Sequence, residues 1–146
     1  RTGIFIEKLA RAAAMKTVKK NAAELNTAES ILKASDEFGK AMNDDFNTPL
    51  ALASLLGLAG IFQERIWKLA PKDASEIKRF LENSFKTLGI GFKTGKIPQN
   101  ARKLAEEREL YRGRKQFVQS DALREKIRVL GYEVDDTPEG PFIYKE

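Results

Sequence analysis

Residues 41–55 read AMNDDFNTPLALASL. To the left an apolar pattern at helical spacing runs out, and to the right another begins. Between them, Asn43, Asp44 and Asp45 are turn formers. Thr48 followed by Pro49 is a cap followed by the residue favoured at the first helical position. The stretch predicts a break at residues 43–49 between two helices, with Phe46 plugging the bundle they build. Upstream, Asn26 precedes Thr27-Ala28-Glu29, an Asn form of the capping box. A second helix therefore starts there, with Ile31, Ala34, Phe38, Ala41 and Met42 inward. Before it, the Ala- and Lys-rich residues 4–25 read as a first helix, with Ile4, Phe5, Leu9, Ala12, Ala13 and Val18 as a loose stripe.

Downstream of the break, a third helix is read from Pro49 to about Ala70, with Leu52, Leu55, Leu56, Ala59, Phe62, Ile66 and Leu69 on one broad face. Gly57 and Gly60 either weaken it by roughly 1 kcal/mol each or admit a close neighbour, and Pro71 is its stop. A fourth helix is read over residues 74–88, with Ile77, Phe80, Leu81, Phe85 and Leu88 inward and Gly89 just past its end. Phe38, Phe46, Leu55, Phe62, Phe80 and Phe85 are the expected core. Residues 89–100, GIGFKTGKIPQN, hold three Gly and one Pro and read as a linker.

Past the linker the texture changes. Ala101 to about Gly113 is a charged helix marked only by Ala101, Leu104, Ala105 and Tyr111. A second helix, with Val118, Ala122, Leu123, Ile127 and Leu130, ends at Gly131. YEVDDTPEGPFIYKE then alternates like two strands around a turn at Asp136–Gly140. The expected fold is mainly α: an antiparallel helical bundle (residues 1–89), a linker (90–100) and a small helix–helix–β-hairpin module (101–146).

The chain has 146 residues, 42% hydrophobic and 32% charged, which suits one globular domain with an appendage. No apolar run approaches the ~18 residues of a membrane span, and no secretory signal is visible. Cytoplasmic residence is expected. The opening RTGIF, without a Met, reads as a piece of something longer. With no Cys and no His, disulfides, Cys/His zinc sites, imidazole acid–base work and Ser-His or Cys-His nucleophiles are excluded. No GxxxxGK[ST] or GxGxxG loop is present. The paired acids Asp44/Asp45 and Asp135/Asp136 read as caps and strand neighbours rather than catalysts.

A net charge of +5 allows a polyanionic partner and is equally ordinary solubility charge. The charge has one concentrated stretch. Residues 101–128 hold nine Lys/Arg against five acids. Within it, RGRKQFVQSDALREKI (112–127) sets Phe117 and Asp121 inside a basic strip. The plain reading is a solvated helix face laced with pairs such as Asp121–Arg124 and Glu125–Arg128, each adding only ~0.2–0.5 kcal/mol. The other reading is recognition of single-stranded RNA. A ring stacks an unpaired base, cations meet phosphates, and carboxylates accept from exocyclic amines.

Two stretches resemble a known family. AMNDDFNTPLALASL (41–55) is close to M-x-D-D-F-N-T-P-x-A, a signature of the helical domain that follows the catalytic core of cysteinyl-tRNA synthetases. LAEERELYRGRKQFVQSDALREKIRVLGYEVDDTPEGPF (104–142) resembles that family's C-terminal pattern, R-x-x-A-R-x-x-K-D-F-x-x-A-D-x-I-R-x-x-L-x-x-x-G-I-x-x-x-D-T-P-x-G-T-x-W. Tyr111, Gln116, Ser120 and Leu123 depart from it, and Pro141-Phe142-Ile143 stands for Thr-x-Trp, with Tyr144 as a substitute aromatic. The resemblance implies a DALR-type helical domain along the anticodon stem and a module reading the GCA anticodon of tRNA(Cys). It places the anticodon readers on Arg112, Phe117, Asp121 and Asp136. Arg108, Arg114 and Lys115 are the expected phosphate contacts.

The same resemblance implies a catalytic domain in the parent protein as a partner, and it assigns ATP and zinc to that domain. Its HIGH and KMSKS motifs are not in this sequence, so this chain is expected to hold no cofactor and no catalytic residue. The competing functional classes are a free-standing RNA- or protein-binding helical module and a purely structural domain.

Overall fold

Asn47 opens the helix that organises the first half of the chain. Its side-chain Oδ1 accepts from the backbone N–H of Leu50 at 3.2 Å, and Pro49 follows in the first turn. The cap is thus Asn47, one residue before the expected Thr48. The computed structural model describes residues 2–16, 26–92 and 95–145. Its elements are α1 (Thr2–Ala13), α2 (Thr27–Asn43), α3 (Thr48–Gln63), a 3-10 turn (Ile66–Lys68), α4 (Pro71–Thr87), α5 (Gln99–Gly113), α6 (Phe117–Val129), β1 (Tyr132–Thr137) and β2 (Gly140–Lys145). Residues 2–93 form one unit and 94–146 a second.

In the first unit α2 lies along α3, and α1 lies along α4. The core is built from Leu9, Leu55, Leu58, Phe62, Ile77, Leu81 and Phe85, all essentially without solvent contact. Phe92 meets the ring of Phe85 edge-on, with centroids 5.0 Å apart, so the packing runs three residues past Gly89. Gly89 ends α4 with φ of +73°. The N–H of Ile90 reaches the carbonyl of Phe85 at 2.8 Å, and that of Gly89 reaches Lys86 at 3.0 Å, the paired bonds of a Schellman end.

Several expectations are corrected. The first helix stops at Ala13 instead of reaching residue 25, and residues 17–25, with Val18, lie outside the described residues. Asn26 makes no side-chain cap, and its amide donates to Glu29 instead. The third helix ends at Gln63. Ile66 and Leu69 still reach the core, through the 3-10 turn and the residue after it. Pro71 starts α4 rather than stopping α3, because its fixed φ and missing N–H cost nothing in a first turn.

Phe46 does not plug the bundle. Asp45 and Phe46 both take left-handed backbone (φ 46° and 55°), and the N–H of Asn47 closes the turn onto the Ala41 carbonyl at 2.9 Å. The reversal leaves the Phe46 ring 73% exposed. Two such residues cost on the order of 1–2 kcal/mol each. Opposing this, Ala41 and Ala51 are fully buried on either side of the turn. Leu56 also faces out, and Phe38 and Phe80 are only half-buried against the core. A Cβ at Gly57 or Gly60 would meet nothing within 4 Å, so neither glycine serves a close approach.

The second unit pairs α5 with α6 and lays the hairpin on both. β1 and β2 are antiparallel, with Val134 opposite Ile143 and Asp136 opposite Pro141. The apolar centre is small: Ala105, Ile127 and Val134, with Leu104, Tyr132 and Ile143 partly covered around it. Val118, expected inward, is 82% exposed, because α6 turns its Ser120–Leu123–Ile127 face inward instead.

Phe85→Ala should cost ~3–5 kcal/mol in urea unfolding, and the half-buried Phe80→Ala should cost clearly less. Gly57→Ala, with open space at its Cβ, should raise stability by roughly 0.5–1 kcal/mol. A loss there would mean that this face of α3 is covered in solution.

Candidate nucleic-acid interface

The chemistry gathers on the α5 face that carries Ala101 and Ala105. Steps of three and four residues continue that face to Arg108 and then Arg112. Arg108 is 1% exposed, a guanidinium inside the smaller unit. A buried charge requires a partner. The hairpin supplies one, because strand alternation puts Val134 and Asp136 on the same face of β1. Arg108 Nη1 donates to Asp136 Oδ1 at 2.6 Å and Nη2 to Oδ2 at 3.3 Å, a two-bond fork. Arg112 Nη2 approaches the same Oδ2 at 3.1 Å. Arg112 and Asp136 are each about two-fifths exposed, at 38% and 39% of their side chains.

The Asp136 carboxyl is held below its usual range, chiefly by the hydrogen bonds from Arg108. Partial burial opposes this, and the charges of Arg108, Arg112 and Arg124 reinforce it. On the other face of β1, Glu133 accepts from Arg128 Nε at 2.6 Å and lies 3.7 Å from Arg124. Tyr144 donates to Asp135 at 3.2 Å and lies against Phe142, with centroids 5.9 Å apart. Burial first, then the Asp135 carboxylate, pushes the Tyr144 phenol up to about 12.

The α5–α6 turn positions the rest. The N–H of Gln116 bonds to the Tyr111 carbonyl and that of Lys115 to the Arg112 carbonyl, both at 2.9 Å. This is again a Schellman end, but with Lys115 rather than Gly in the left-handed position, at φ of 59°. Arg114 and Lys115 therefore project from the turn, exposed. Phe117 begins α6 with 57% of its surface in water, and Asp121, one turn on, shares its face and is exposed too.

Of the expected readers, then, Arg112 and Asp136 are brought into contact, while Phe117 and Asp121 form a separate exposed pair on α6. The expected Asp121–Arg124 pair is absent among the described residues, Arg124 turning to Glu133, whereas Glu125–Arg128 is present at 3.7 Å. The phosphate contact expected of Arg108 finds no support, since its guanidinium is almost without solvent contact and is forked onto Asp136 inside the unit. Leu110 and Val118, on the two helices that flank the α5–α6 turn, are exposed as well, Leu110 unremarked in the sequence and Val118 expected inward. Among the described residues no cluster of His, Cys, Asp and Glu could hold a metal ion, and no helix is long and apolar enough to cross a membrane.

Residues 37–93 match the DALR domain. The chain is 38% identical over 129 residues to a cysteine–tRNA ligase of Methanosarcina mazei, covering 84% of this chain and 26% of that protein. It is 36% identical over 118 residues to the enzyme of the same name from Thermus thermophilus, covering 71% and 24%. For that of Archaeoglobus fulgidus the identity is 33% over 106 residues, covering 70% and 23%. The chain belongs to the C-terminal region of the cysteinyl-tRNA synthetase family. It spans about a quarter of the length of these relatives.

A depressed carboxyl contributes stability that is fully present above its unfolded value, about 3.9, and is lost as pH falls through the folded value. The β1 amide signals should therefore report a hairpin that is insensitive to pH through Asp136 above about pH 5 and that loosens below about 4. Asp136→Asn should lower stability at neutral pH and flatten that acid limb. An unchanged limb would mean that the Arg108–Asp136 pair does not form in solution.

Proposed function

We propose that this chain is the tRNA-binding part of a cysteine–tRNA ligase: the helical unit lies along the anticodon stem of tRNA(Cys), and the smaller unit reads the anticodon. The observation that carries this reading is the joint exposure of Phe117 and Asp121 on one face of α6, in a chain 38% identical to a cysteine–tRNA ligase over 129 residues. Phe117 stacks an unpaired base, Asp121 and Asp136 accept from base amines, and Arg112 donates to a base acceptor. Arg114 and Lys115, projecting from the α5–α6 turn, neutralise phosphates. No step of catalysis falls to these residues. ATP and zinc belong, on this reading, to a catalytic domain of the parent protein, which is the second partner, and the working compartment is the cytoplasm.

A free-standing RNA- or protein-binding module is the second reading. It is favoured by the exposed apolar groups Leu32, Phe46, Leu50 and Ile61 on and around the α2–α3 hairpin. Titration with tRNA(Cys) and with an anticodon-swapped transcript separates the two. Arg114→Ala or Lys115→Ala should weaken both RNAs alike and lower the salt slope by about one unit or less per contact. Asp121→Ala should erode the preference for the cognate anticodon, a contact of this type being worth ~1–3 kcal/mol. Equal weakening of both RNAs by Asp121→Ala, or no effect on either, would return Asp121 to an ordinary solvated helix face.

A further inference from the structure

Arg108 is the largest fully buried side chain among the described residues. Its Nε has no partner there, so Asp136 is its counter-charge. A buried guanidinium held by a carboxylate is ordinarily a staple between elements. Here the carboxylate it holds is not itself sealed in, since Asp136 keeps 39% of its side chain in water, beside Arg112 at 38%.

The acceptor count sharpens the point. An ionised carboxylate offers about four acceptor sites. The Arg108 fork occupies one on each oxygen, and Arg112 stands beside Oδ2 as an ion pair at 3.1 Å. About two sites remain, one on each oxygen, the one on Oδ2 next to Arg112. Arg112, with five N–H donors and an ion-pair contact to Oδ2, keeps donors for another partner. The exposed lip of this cluster is therefore a fixed acceptor next to a fixed donor.

We propose that Arg108 is a positioning residue for RNA recognition: its buried fork fixes the Asp136 carboxylate so that its open acceptor sites, beside the N–H groups of Arg112, meet an N–H donor on the edge of an unstacked base. This rests on the proposed anticodon-reading function. It assigns Arg108 a role through Asp136 and none at a phosphate. The ligand class is a base edge with an N–H donor next to an acceptor.

The test uses the full 146-residue chain, a tRNA(Cys) transcript and the same transcript with a swapped anticodon. The wild type must first prefer the cognate RNA; without that preference the anticodon-reading function itself is overturned, and this inference with it. Given the preference, Arg108→Lys, which keeps the charge but not the fork, should reduce it about tenfold. Affinity for the swapped transcript and the salt slope should stay at wild-type values. In an Asp136→Asn background, Arg108→Lys should remove nothing further. Retention of the preference, equal weakening of both RNAs, or a further loss in the Asp136→Asn background would each overturn the positioning role. Where Arg108→Lys fails to fold, Asp136→Glu decides: it preserves the ion pair and shifts the acceptor by one methylene. Loss of preference supports positioning, and wild-type preference in Asp136→Glu overturns it.

Discussion

A guanidinium without water must be met by a carboxylate, and in the smaller unit that requirement fixes nearly everything else. The apolar centre there is little more than Ala105, Ile127 and Val134, too small to hold two helices and a hairpin in one register by burial alone. The Arg108–Asp136 fork ties α5 to the far end of β1, and Glu133 ties the start of β1 to α6 through Arg124 and Arg128. Between these two anchors the strand has one alternation available: Val134 and Asp136 on one face, Glu133 and Asp135 on the other. A slip by one residue would bury Asp135 against Arg108 and turn Val134 to water, so charge and pleat enforce the same register.

The first unit is governed by different physics. Its helices are set by apolar period, and there the sequence was legible: the interior residues of α2, α3 and α4 largely follow the spacing of their side chains. What failed was punctuation and default placement. Pro71 was read as a stop because it follows an apolar run, yet proline fits a first helical turn as readily. Phe46 was read as core because rings are mostly buried, but consecutive left-handed residues turn it outward, and nothing in NDDFNTP announces those angles. Leu56 and Val118 erred for the same reason. Apolar type says that a residue can be buried, and only the helix phase says whether it is.

Arg108 is the instructive miss in the candidate site. Within a strip of nine cations it passed for one more phosphate contact. The signal was nonetheless present in spacing, since Ala101, Ala105, Arg108 and Arg112 follow one another at intervals of four, three and four. Small residues on a helix face mark where a neighbour approaches, and a cation on that same face must be buried or at the margin of burial. Reading charge by helix phase rather than by local density would have separated Arg108 from Arg114 and Lys115, which project from the turn.

On the proposed anticodon-reading function, the division of labour among the charges also explains why Asp136 should lie among cations. A loose carboxylate beside RNA is repelled by phosphates and rotates to satisfy any donor, so it discriminates poorly. One held in the Arg108 fork, with Arg112 alongside, has its negative charge offset locally and its orientation set before a base arrives. The cost of ordering it is met in folding rather than in binding. A base whose edge does not match is then left with an unfilled donor or acceptor, and that mismatch, more than any added attraction, is what a rigid polar pair contributes to selection.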